Sequence, residues 1–195
     1  MSNRKLIEIL SLIPFFGVPA AFAQQQADRP LPYDFAYASI AITELDSGGL
    51  EGGVSFTVAP NLHVFASYQD WEVNNNVDRS ILQVGASYHW DIAENLDLVV
   101  GAAFADSEVD PPGPAKRDDT GPILSAGLRG WLTTAVELSG TILVDDSLES
   151  GSDTVLEIGG QYYMSDQFSL GGRARIDENE TTLFFGGRFY FGRRN

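Results

Sequence analysis

Residues 81–104 read ILQVGASYHWDIAENLDLVVGAAF. Leu82, Val84, Ala86, Tyr88 and Trp90 are apolar and alternate with Gln83, Gly85, Ser87 and His89. After Asp91–Asn95 the alternation resumes, with Leu96, Leu98, Val100, Ala102 and Phe104 on one face. Asp97, Val99, Gly101 and Ala103 take the other. Period two over two runs, joined by a turn-forming segment, is the pattern of a β-hairpin. One face of this hairpin is apolar along its whole length, and an aromatic residue, Trp90, stands beside the turn.

The same unit recurs on both sides. Alternating runs cover roughly 34–44, 50–58, 62–73, 123–132, 136–145, 154–163, 168–177 and 181–193, so the hairpin is the repeat of the chain. With the opening pair this predicts about ten strands, with eight as the alternative count. No segment after Tyr33 has helical periodicity. The connections fall into two sets. Tight turns are expected at 59–61, 91–95, 132–134 and 164–167. Longer or more acidic connections are expected at 45–49, 72–78, 106–120, 145–153 and 177–180. Short turns at one rim and longer loops at the other describe an up-and-down sheet closed into a barrel that crosses a bilayer.

The chain has 195 residues, no cysteine and a formal net charge of -15. Disulfides and thiol catalysis are thereby excluded. A nucleic-acid partner is disfavoured, because phosphate neutralisation needs the opposite sign. The N-terminus reads as an address. Arg4 and Lys5 precede an apolar stretch from Leu6 to Ala20, and Ala21-Phe22-Ala23 follows as an A-x-A cleavage pattern. Residues 1–23 are therefore expected to be a cleaved signal peptide. Residues 24–32, with two prolines, read as a flexible periplasmic lead-in, and 33–195 as the barrel.

The solvent of the apolar face decides between a barrel and a soluble sandwich. The opposite face is rich in small residues, among them Gly53, Ser55, Ser67, Gly85, Ser87, Gly101, Ser125, Gly127 and Ser139. Small side chains suit the crowded interior of a slim closed sheet. Strand parity also turns Glu51, Asp97, Glu137 and Glu157 inward, with Arg129, Arg173, Arg175 and Arg188. Charges in a slim interior need partners. Turn lengths suggest His89 opposite Asp97, Glu157 opposite Arg173 and Arg129 opposite Glu137. These charges, together with His89, form the expected lumenal network. Phe65 and Trp131 share the inward parity and are expected to fill space.

Gly186-Gly187-Arg188-Phe189-Tyr190-Phe191 reads G-x-x-aromatic-x-aromatic. It resembles the C-terminal recognition signal of bacterial outer-membrane barrels, with Gly186, Phe189 and Phe191 at the signal positions. Two departures are Phe184, at a usually polar position, and four further residues after the last aromatic. The whole chain resembles the small porin-like or OmpA-like barrels. That resemblance implies a Gram-negative outer membrane, insertion by the barrel-assembly machinery, and contact with outer-membrane lipid and lipopolysaccharide. It implies no particular activity.

Catalysis is not expected. His63 and His89 both lie near the short-turn rim on the inward face, and Ser87 is the one nucleophile in view of His89 and Asp97. An acyl hydrolase of the outer membrane has to present its nucleophile to lipid, and this face points away from it. The acidic clusters Asp145-Asp146 with Glu149, and Asp177-Glu178 with Glu180, match no dedicated metal-loop spacing, so neither metal nor cofactor is expected. The Pro-rich part of 106–120 is a candidate contact surface or a stiff connector. The function expected is a non-enzymatic barrel, structural or interactive, or a very small pore. A lipid-modifying enzyme or protease and a soluble β-sandwich or lipocalin-like binder are the competing readings.

Overall fold

The computed structural model describes residues 31–43, 48–73, 77–110, 117–146, 152–178 and 180–191. The expected signal peptide, most of the lead-in and the prolines at 111, 112 and 114 lie outside the described residues. Ten antiparallel strands form one closed sheet. They are β1 (Phe35–Thr43), β2 (Gly48–Ala59), β3 (Leu62–Val73), β4 (Val77–Ala93) and β5 (Leu96–Asp110). They continue with β6 (Arg117–Trp131), β7 (Val136–Asp145), β8 (Asp153–Tyr163), β9 (Phe168–Ile176) and β10 (Thr181–Tyr190). Each strand pairs with its neighbours in sequence, and β1 closes on β10 from Phe35↔Tyr190 to Thr43↔Thr182. Closure leaves no edge strand unpaired.

The apolar stripe faces outward. Ile40, Val84, Phe104, Leu124, Ile142, Ile158 and Phe185 are all exposed, and so are the aromatic residues Trp90, Tyr162, Phe168, Phe189 and Phe191 near the short turns. A contiguous apolar belt around a closed sheet is stable when hydrocarbon is its solvent. The rings lie at the end of the belt, where an amphipathic side chain suits a lipid boundary. A soluble sandwich, which buries this stripe, is thereby overturned as a fold.

The strands are less uniform than the alternation suggests. β1 and β9 have 9 residues each, whereas β4 has 17 and β5 and β6 have 15. A tilted strand crosses the hydrocarbon in about 9–11 residues. The wall from β4 to β6 therefore runs past that span at the long-loop rim. Pairs Glu108↔Asp118 and Asp106↔Thr120 lie in what the sequence marks as loop. A ribbon standing in water can be polar on both faces, so its alternation is not visible.

The short turns also differ from expectation, and always in the same sense. β4 continues to Ala93 and turns through Glu94 and Asn95, with a bulge between Asp91 and Ala93. Trp90 then faces Leu98, and His89 faces Val99 rather than Asp97. Between β6 and β7, Leu132 N–H and Thr133 N–H donate to Val136 O at 2.8 and 3.2 Å. Trp131 thus faces Glu137, and Arg129 faces Ser139. Between β8 and β9, Tyr162 faces Leu170 and Glu157 faces Arg175 rather than Arg173. Every register is two residues from the one expected, and a shift of two keeps each side chain on its face. At the β2–β3 turn Asn61 has φ 65°, a left-handed conformation that asparagine tolerates.

Candidate functional site

The interior is layered. Near the long-loop rim Ala105, Ile123, Leu143 and Val155 are buried together, with Ile81 and Ala103 packed against them. Near the short-turn rim a second cluster joins Leu31, Trp131, Tyr163 and Tyr190, with Tyr33 and Phe35 beside it. Between the two lies a cavity of about 320 Å³. Its walls include Ser67, Ser87 and Ser125 as well as Glu157, Arg173 and Arg188.

The expected charge network divides into two groups and a separate rim pair. In the first group Arg129 donates to both oxygens of Glu137, from Nε at 2.7 Å and from Nη2 at 2.8 Å. Tyr163 OH donates to the same carboxylate at 2.5 Å, and Arg188 reaches it from β10 at 3.4 Å. Glu137 is almost wholly buried, and four polar contacts offset the loss of water around its charge. In the second group Arg173 on β9 bonds Glu51 on β2 at 2.6 Å. Tyr37 and Ser39 donate to Glu51 at 2.9 and 3.2 Å. Glu157 lies 3.2 Å from Arg175 and 3.8 Å from Arg173.

Asp97 and His89 stand apart from both groups, at the short-turn rim. The Tyr33 hydroxyl donates to Asp97 Oδ2 at 2.7 Å. The Tyr33 ring stacks on His63 at 3.9 Å and on His89 at 4.4 Å, with near-parallel planes. Arg129 covers the phenol with its guanidinium carbon 4.6 Å from the ring centroid. Burial, against the opposing charge of Arg129, keeps the Tyr33 hydroxyl protonated far above its ordinary range. This residue precedes β1, at the position where the sequence predicts the barrel to begin. Leu31, which the sequence places in a flexible lead-in, is instead buried against Trp131, Tyr163 and Tyr190. The chain thus enters the barrel by folding residues 31–34 into its mouth.

Several interior residues escape the sequence reading. Tyr33, Tyr37, Tyr163, Gln69 and Arg79 share the inward parity with the charges they accompany. Gln69 donates to Glu51 at 3.4 Å, and Arg79 donates to Ser107 at 3.4 Å. Phe184, the departure from the C-terminal pattern, is buried under Arg173, whose guanidinium carbon lies 4.0 Å from the ring centroid. A cation over an aromatic face accounts for an apolar residue on the polar side. Phe65 lines the cavity and Trp131 belongs to the short-turn cluster. Ser87 also lines the cavity, but the ring nitrogens of His89 are turned to His63 and Asp91. Gly186 packs against Ser39 of β1, while Phe189 and Phe191 project outward.

Solved structures share this architecture. A structure named KdgM porin superposes with a TM-score of 0.52 at 9% identity, covering 81% of this chain and 99% of that one. The fold is that of the outer-membrane β-barrels. A KdgM porin in complex with disordered oligogalacturonate gives a TM-score of 0.50 at 8% identity, over 81% of this chain and 99% of the other. The N-terminal β-barrel domain of Pseudomonas aeruginosa OprF gives 0.48 at 14% identity, over 83% and 100%. At such identities the likeness of the barrel is one of fold. No protein-family model and no curated protein matches the sequence.

Proposed function

We propose that this protein is a non-enzymatic outer-membrane barrel whose interior admits no large solute, so that its role is structural or interactive, or that of a very small pore. One observation carries the reading: packed side chains occupy the interior on both sides of the central cavity. Aliphatic residues of β4 to β8 cluster near the long-loop rim, and near the short-turn rim Tyr33 and Phe35 reach Arg129 across the barrel, beside Trp131 and Tyr163. Ten strands enclose a slim cylinder, which side chains of this size fill. The outward apolar belt supports residence in the outer membrane among lipid and lipopolysaccharide. Export through a cleaved signal peptide at 1–23 belongs to the same reading. So does delivery to the barrel-assembly machinery through Gly186, Phe189 and Phe191.

Planar-bilayer recording tests it. The protein is expected to give no steady large conductance, and stable large-conductance channels would overturn the reading. Fractionation tests the location. The protein is expected in the outer-membrane fraction with heat-modifiable gel mobility, and recovery from the soluble periplasm would refute that location.

A further inference from the structure

The short-turn rim carries a group of side chains that a plugged barrel does not need. His89 and Asp91 share the inner face of β4, and Asp97 on β5 is the register partner of Asp91. One ring nitrogen of His89 and one oxygen of each carboxylate lie within 4.8 Å of one another. His89 Nε2 is 3.6 Å from Asp91 Oδ1, too far for a hydrogen bond.

The outer partners of these groups fix what each still offers. His89 Nδ1 lies 2.9 Å from His63 Nε2. When His89 donates in that bond, its Nε2 presents a lone pair toward the two carboxylates. The Tyr33 hydroxyl fixes the Asp97 carboxylate through Oδ2. A ring nitrogen anchored on the far side, and a carboxylate anchored by a hydroxyl, are how proteins orient metal ligands. The anchors themselves are held. His63 is fully buried with Nδ1 lacking a hydrogen-bond partner, and Tyr33 is stacked over both imidazoles. Arg129 is the register partner of Asp97, yet its guanidinium is turned to Glu137 and lies over the Tyr33 ring. In that His89 tautomer three electron-rich atoms converge, and a cation between them would remove their mutual repulsion.

We propose that His89, Asp91 and Asp97 bind one divalent first-row transition-metal ion at the short-turn rim. One imidazole and two carboxylates suit an ion such as Zn²⁺ better than Mg²⁺ or Ca²⁺, which favour oxygen-only sets. Zinc bonds of about 2.0–2.2 Å require the ligand atoms to draw together by roughly 1 Å. The Asp91 side chain is 74% exposed and can rotate to do so. Its exposure also gives the ion a way in from solution.

The test uses tag-free mature protein, refolded in detergent, checked by heat-modifiable mobility, stripped with chelator and dialysed. Calorimetric titration with ZnCl₂ is expected to show one site per chain, at least tenfold tighter than for MgCl₂ or CaCl₂. Asp91→Asn, at an exposed position, is expected to leave the barrel folded and weaken zinc binding at least tenfold. His89→Gln is expected to do the same. CoCl₂ is expected to produce visible absorption bands that ZnCl₂ abolishes. Absence of zinc binding, equal affinity for Mg²⁺, or binding untouched in both variants would each overturn the site. So would ¹⁵N spectra showing His89 doubly protonated at neutral pH and unmoved by ZnCl₂, since a proton would then be the cation. None of these outcomes depends on whether the barrel conducts.

Discussion

Arg129 and Glu137 are not opposite each other in the sheet, yet their side chains meet in two parallel bonds of 2.7 and 2.8 Å. Arg129 faces Ser139 and Glu137 faces Trp131, so the pair is diagonal across the β6–β7 hairpin. The fork of the guanidinium matches the carboxylate, which is the strong form of an ion pair. Tyr163 and Arg188 complete the shell of Glu137 from two other strands. One buried carboxylate thereby ties β6, β7, β8 and β10 together.

Glu137→Ala removes that tie and leaves two interior guanidinium groups without their shared counter-charge. Breaking a buried pair by deleting one partner costs roughly 3–5 kcal/mol. Urea unfolding in phospholipid vesicles is expected to show a loss of this size. Arg129→Met combined with Glu137→Leu is expected to recover part of it, because the Arg129 charge leaves with its partner and Arg188 alone loses its counter-charge.

The two interior clusters lie in series along the proposed path. Tyr33→Ala alone is expected to leave bilayer conductance near background, and so is Ile123→Ser with Leu143→Ser. Joining all three substitutions is expected to give measurable channels, since the current has to pass both closures. Single-channel recording of the three proteins checks this. Full conductance from Tyr33→Ala alone would mean that the aliphatic cluster does not close the lumen.

Gly186 and Gly140 are both strand glycines with opposite surroundings. A Cβ on Gly186 would run into the Ala38 carbonyl and lie 2.6 Å from Ser39 Cβ, whereas a Cβ on Gly140 meets nothing within 4 Å. Gly186→Val is expected to destabilise the β1–β10 closure by 1–3 kcal/mol, the usual cost (about that size) of overpacking. Gly140→Ala is expected to be neutral or stabilising by about 0.4–1 kcal/mol through the unfolded chain. Parallel unfolding curves in vesicles separate the two.

Ile158 sits mid-strand in β8 with its side chain exposed in the apolar belt. Ile158→Arg is expected to cost about 2–4 kcal/mol in a bilayer, as arginine does near the midplane on the lipid face. Asp70→Arg, on an exposed side chain near the long-loop end of β3, is expected to change stability little. Equal effects at the two positions would contradict the placement of the belt in hydrocarbon.

Much of the barrel was legible because period two is a local property. Leu82, Val84 and Tyr88 alternate with Gln83, Gly85 and His89 whatever the rest of the chain does, and the same holds in each strand. The aliphatic cluster had a fainter signal. Ile81-Leu82, Ile123-Leu124 and Leu143-Val144 place apolar residues on both faces at the long-loop end of three strands. The rim cluster was hidden differently. His89 and Asp91 share a face, but Asp97 joins them because β4 extends through a bulge to a two-residue turn.

The alternation in the chain was enough to determine the up-and-down topology, the face that meets lipid and the residues that point inward. It could not determine which inward residues meet, because sliding a strand by two positions preserves every face and changes every partner. The tertiary structure decided those partners. Closure of the sheet brings Arg173 of β9 to Glu51 of β2 and Tyr33 to Asp97, contacts between residues 122 and 64 positions apart. Such contacts exist once the sheet curves back on itself, and no local pattern encodes them.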